Sequence, residues 1–114
     1  MRDIIDVKGA SGAVYRFTRF RDGNPLSAMG GNFVYAREDG DGSSILFAGE
    51  AQNLLTGAAF DWDRAVRDFA ADGLYTRLNI SEAVRRREHA DIAAAAGALP
   101  MDPPRPEGAS EDQA

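Results

Sequence analysis

The chain of 114 residues has no cysteine, which excludes disulfides and thiolate metal sites. It has one lysine, Lys8, and one histidine, His89. With no second His or Cys, and with Glu88 directly before it rather than at metalloprotease spacing, His89 lacks a zinc partner and reads as an ordinary exposed side chain. No apolar run is long enough to span a bilayer, and the start, Met1-Arg2-Asp3-Ile4-Ile5-Asp6, lacks the apolar stretch of a secretory leader. A cytoplasmic protein without a membrane part is therefore expected. No Gly-rich phosphate loop ending in Lys-Ser/Thr occurs, and no Gly-x-Ser-x-Gly nucleophile turn.

What is present suits one globular domain: 44% apolar and 27% charged residues in a length too short for two ordinary cores. The expected domain covers residues 1–98, with residues 1–29 as an N-terminal extension and 30–98 as the main part. Residues 99–114, rich in Pro and acidic side chains, are expected to be a disordered tail. Net charge is -5, and residues 98–114 hold four carboxylates against Arg105 alone, which leaves 12 basic against 14 acidic groups in residues 1–97. Nucleic-acid affinity rests on clustered cations. Those here are nearly all arginine, suited to bidentate phosphate contacts but interspersed with carboxylates. Arg85-Arg86-Arg87 splays around a helix and makes no single patch.

Two β-rich runs, Asp3 to Lys8 and Ala13 to Phe20, flank the turn Gly9-Ala10-Ser11-Gly12 and predict a hairpin. A second hairpin follows, Asn32 to Arg37 and Ser44 to Glu50, reversed at Asp39-Gly40-Asp41-Gly42. Those aspartates lack the later ligands of a calcium loop. A short helix is expected over Ala51 to Ala59, and a second from Asp61 as N-cap, with Trp62, Ala65, Val66 and Phe69 as its core stripe and Asp72-Gly73 as its stop. Leu74 to Leu78 reads as the last strand. Asn79 and Glu82 have the spacing of a capping box for a helix ending near Ala96 and Gly97. On that helix Ile80, Val84, Glu88, Asp91 and Ala95 should face the sheet, and Arg85, Arg86 and His89 should point outward. A partly buried Glu88 needs either an arginine partner, such as Arg37 or Arg77, or a divalent metal.

The pair Gly31-Asn32-Phe33 and Phe47-Ala48-Gly49, with the continuation Glu50-Ala51-Gln52-Asn53-Leu54, resembles the GIY-YIG nuclease family, whose hairpin carries Gly-aliphatic-Tyr and Tyr-aliphatic-Gly. The resemblance covers residues 30 to 100. It implies an α+β fold, a small antiparallel sheet flanked by helices, to which the N-terminal hairpin is added. It also implies a site made of Phe33 and Phe47 where active members carry tyrosines, Gly57 where they carry a phosphate-clamping arginine, and Glu88 as the ligand of one divalent metal. Tyr35 enters the first tyrosine position under a shifted alignment. Phenylalanine has no hydroxyl to position or deprotonate water, and losing a positioned arginine typically removes about a thousandfold or more in phosphoryl chemistry.

The expectation is a catalytically degenerate member acting as a binding or regulatory module for protein or nucleic acid, with no cofactor. One alternative is an active endonuclease using Mg²⁺ or Mn²⁺ with Tyr35, Glu88 and an arginine such as Arg37. Another is a small α+β protein-interaction domain unrelated to nucleases. Nothing in the sequence sets the oligomeric state.

Overall fold

The computed structural model describes residues 2–101; the expectations for most of the tail fall on residues 102–114, outside the described residues. In chain order the elements are β1 (Ile4–Lys8), β2 (Val14–Arg19), β3 (Gly31–Asp39), β4 (Gly42–Ala51), α1 (Leu54–Gly57), α2 (Trp62–Phe69), β5 (Gly73–Leu78) and α3 (Glu82–Ala96). All five strands form one antiparallel sheet in the order β1-β2-β5-β3-β4. The fold is α+β. The two hairpins are not neighbours: β5 lies between them, paired with β2 on one side and β3 on the other.

Alternation along each strand sends successive side chains to opposite faces. Val34, Ala36, Phe17, Tyr15 and Tyr75 pack with Ile92 of α3 on one face. Phe33, Tyr35 and Leu74 pack under Leu54, Ala58 and Ala65 of the α1–α2 region on the other. Between the pairs Tyr35↔Phe47 and Ala36↔Ile45 the register shifts, so Leu46 is an extra residue. Its side chain is fully buried in the second core.

Several local expectations are corrected. Ala51 pairs with Gly31 as part of β4, so α1 starts only after Asn53, whose side chain accepts from Thr56 N–H, and is a single turn. Asp61 makes no side-chain cap; its carboxylate holds Arg64 at 2.7 Å. Val66 is 45% exposed because α2 leans onto its fully buried Ala65 side. The helix stops at Ala70, which takes a left-handed φ of 59°, two residues before the expected stop. Ser81, not Asn79, caps α3, accepting from Val84 N–H at 3.3 Å. Gly97 ends that helix as expected, with φ 68°.

The expected domain end at residue 98 falls too early. Leu99 packs on the α3-side core, Met101 is 1% exposed in the other, and Met101 N–H donates to the Leu46 carbonyl at 2.9 Å. Burying a methionine side chain stabilises by about 1.5–3 kcal/mol.

Candidate functional site

The sheet separates the predicted site residues. On the α3 face, Glu88 Oε1 accepts from Arg77 Nε at 3.0 Å and from Asn79 Nδ2 at 2.9 Å. Asn79 also donates to Asn32 Oδ1, and Asn32 Nδ2 donates to the backbone carbonyl of Arg85. Arg37, the other proposed partner of Glu88, instead donates to the Phe69 carbonyl. Arg85, expected outward, is 4% exposed. Its Nε donates to Glu50 Oε1 at 2.6 Å and its Nη1 to the carbonyls of Asn79 and Ile80, in space left by Gly30, where a Cβ would lie 2.6 Å from Nη1. Because α3 begins only at Glu82, Ile80 stays 63% exposed rather than facing the sheet. The stripe that meets the sheet runs through Arg85, Glu88 and Ile92 instead. These buried charges are paired and hydrogen-bonded, the condition for holding them out of water.

Asp91 ties α3 to the first hairpin. Its carboxylate accepts from the Tyr15 hydroxyl at 2.7 Å and from the hydroxyl and N–H of Ser11 at 2.7 and 2.8 Å. The bond from Tyr15, and then those from Ser11, hold the Asp91 carboxyl below its usual range. The same bond, followed by burial, raises Tyr15.

On the other face, Phe33, Tyr35, Phe47 and Phe60 form one aromatic cluster with ring centroids 5.5–6.5 Å apart, and Trp62 meets Tyr35 edge-on at 5.4 Å. Tyr35 is fully buried. Its hydroxyl donates to the Ala58 carbonyl at 2.7 Å and accepts from Asp61 N–H at 3.2 Å, and burial pushes its pKa up to about 12. A hydroxyl so bonded and so hard to ionise does not fit a general base at neutral pH. Gly57 closes α1 against β4, where a Cβ would sit 2.9 Å from that of Ala51.

Around the free edge of β4 runs an open groove of about 790 Å³. Phe33, Phe47, Gly57 and Phe60 line one side, and Arg86, His89 and Ala93 the other, with the β4 backbone from Ala48 to Ala51 between them. Three of the five predicted positions thus meet there; Tyr35 lies beneath them, and Glu88 faces Arg77 instead. Two residues outside the predicted site shape the groove, one of them His89, against the expectation of an exposed side chain. Phe60 is 61% exposed at the end of the aromatic cluster. His89 is half-buried, with Nε2 3.2 Å from the Ala48 carbonyl. Arg86, His89 and Ala93 sit at i, i+3 and i+7, a helical spacing that marks them as one face of α3. No pattern in the sequence marks Phe60.

The surroundings of Glu88 fit an ion pair and not a cation. One carboxylate oxygen is shared by two donors, one of them a guanidinium, and among the described residues no three His, Asp or Glu side chains are placed to hold a metal ion. Among those residues no helix is long and apolar enough to cross a membrane. No family model, curated protein or solved structure matches the chain.

Proposed function

We propose that this domain is a catalytically degenerate GIY-YIG-like module that binds a protein partner through the groove beside β4 and does not cleave nucleic acid. The observation that carries the reading is Phe60, a large ring 61% exposed above three packed aromatic rings at an open groove. Exposed apolar surface of this kind marks interaction sites. The hairpin, the helix after it and the later helix occur in the order that the resemblance implies, which supports it. So does the chemistry of the positions: Phe33 and Phe47 have no hydroxyl, Gly57 has no side chain, Tyr35 is bonded on both sides, and Glu88 is paired with Arg77. A protein is favoured over a nucleic acid because Arg86 and His89 are the only basic side chains among the described residues that line the groove, which the Glu50 carboxylate also lines. Phosphate backbones demand more cations than that.

The test pairs two measurements. Supercoiled DNA incubated with the domain and Mg²⁺ or Mn²⁺ should stay intact, and an anionic apolar dye, anilinonaphthalene sulfonate, should bind the native domain and lose that binding in Phe60→Ser. Metal-dependent nicking abolished by Glu88→Ala would refute the reading in favour of a nuclease. Dye binding indifferent to Phe60 would remove the groove from the account.

A further inference from the structure

The backbone of β4 gives the groove a second kind of binding group. Gly30 and Ala36 turn their carbonyls towards β5, accepting from Asn79 and Asp72 N–H respectively. By strict alternation the even-numbered residues of β3 bond β5, and Gly31, Phe33 and Tyr35 bond their β4 partners Ala51, Gly49 and Phe47. The N–H and C=O groups of Ala48 and Glu50 therefore point away from the sheet, and both residues line the groove. The Ala48 carbonyl meets His89, but the N–H groups of Ala48 and Glu50 have no partner among the described residues.

Exposed strand edges invite pairing, and proteins commonly blunt them with charge, proline or brevity. The opposite edge, β1, is blunted: it has five residues, and Asp6 and Lys8 are exposed on it. β4 has ten residues, no proline and one charged side chain, Glu50, whose carboxylate is turned to Arg85. This edge also accepts a passing segment of its own chain, since Leu46 takes the N–H of Met101 at 2.9 Å. At the next two outward positions, the N–H groups of Ala48 and Glu50 are unpartnered among the described residues.

Resting on the groove reading above, we propose that the occupant is an extended peptide segment of a partner protein, added to β4 as a sixth strand along Ala48 to Ala51. Alternate side chains of such a strand fall on opposite sides. One set lies beside Phe60 and Phe47 and takes large apolar residues; the other lies beside Arg86 and takes a carboxylate. Arg86 is available for it, because its pair with Glu82 is exposed on both sides (67% and 59%) and such pairs contribute little.

A displayed library of random heptapeptides, panned against the full chain, tests this. Selected sequences should alternate large apolar with acidic residues. Their synthetic versions should slow amide exchange at Ala48 and Glu50 by about tenfold or more at saturation, with little change at Phe47 and Gly49, which already bond β3. Phe60→Ser should weaken binding by about tenfold or more, as should Ala93→Arg, which fills the groove from the opposite wall, and Arg86→Glu should reverse the acidic preference. Peptides that require Phe60 but leave Ala48 and Glu50 exchanging freely would overturn strand addition and leave the groove reading standing. Failure to select any peptide, with dye binding indifferent to Phe60, would overturn both. Protection of the two amides without peptide also overturns the proposal: if it grows with protein concentration the occupant is a second copy, and if it does not, the occupant is the chain's own residues 102–114.

Discussion

Replacing Tyr35 with phenylalanine removes one oxygen and tests whether that hydroxyl is structural. In the wild type it donates to Ala58 and accepts from Asp61. Ala58 is completely buried, so its carbonyl gains no water when the hydroxyl goes; Asp61 is half-buried, so its N–H can be rehydrated. An unsatisfied buried group costs about 1–3 kcal/mol and an ordinary exchanged hydrogen bond about 0.5–1.5 kcal/mol, so Tyr35→Phe should destabilise by roughly 2–3 kcal/mol. For a domain of this size that lowers Tm by on the order of 10 °C.

The control is Tyr75→Phe. Its hydroxyl donates to the carbonyl of Arg2 at 2.8 Å, on an exposed residue that water reaches, so the expected loss is about 0.5–1 kcal/mol. Urea unfolding of both variants reads the difference, and equal losses would refute the desolvation reasoning. The alkaline limb gives an independent check. The folded pKa of Tyr35, about 12, lies above the ordinary value of 10.0, so the folded state keeps a proton that the unfolded state releases. Its contribution is complete below pH 10 and is lost as pH rises through about 12. Tyr35→Phe should flatten that limb.

Three further outcomes follow from single contacts. A Cβ at residue 49 would lie 2.5 Å from Phe33 Cζ and 2.9 Å from Cε1, so Gly49→Ala should destabilise by about 1–3 kcal/mol. Phe33→Leu should relieve part of that loss in a double-mutant cycle, and additive losses would mean that the ring is not the obstacle. Met101→Ala should cost about 2–3 kcal/mol in chemical denaturation, whereas a segment outside the fold would show no loss. Asp91 has a folded pKa below its unfolded value, so its contribution is present above about pH 4 and is lost as pH falls through the folded value. Asp91→Asn should therefore shallow the acid limb of a Tm-against-pH curve, and an unchanged limb would remove the Tyr15–Asp91–Ser11 contact from the account.

The hairpins were legible because their signals are local. Period-two alternation with Gly-rich reversals at residues 9–12 and 39–42 fixes strand pairs without tertiary information. The insertion of β5 between the hairpins is a long-range choice that no local pattern carries, and it places Tyr75 and Arg77 beside β2 and β3. The phase of α3 differs from the sequence expectation for a related reason. A capping box at Asn79 would start the helix two residues early and bring Ile80 to the sheet; with Ser81 as the cap, Arg85 faces inward. A buried arginine also runs against the ordinary expectation from charge, since it is tolerated only where Gly30 leaves room and Glu50 supplies the counter-charge. Both conditions come from residues remote in sequence.

Glu88 shows why a residue type alone does not fix its chemistry. On α3 it lies between Arg85 and Ile92 in the stripe that packs on the sheet, whereas Arg86, His89 and Ala93 occupy the face towards the groove. Glu88 therefore meets Arg77 and Asn79 on the α3 face, while Phe33 and Phe47 lie on the other. The phenylalanines in turn suit what the groove is proposed to bind. The Phe33 ring crosses Gly49 with its para carbon foremost, so a tyrosine there would place its hydroxyl at the groove, a polar group on the surface meant to receive an apolar side chain. A water-positioning site needs that hydroxyl, and an apolar docking site is weakened by it. Positions 33 and 47 cannot serve both purposes well, and the exposed Phe60 beside them extends the apolar surface.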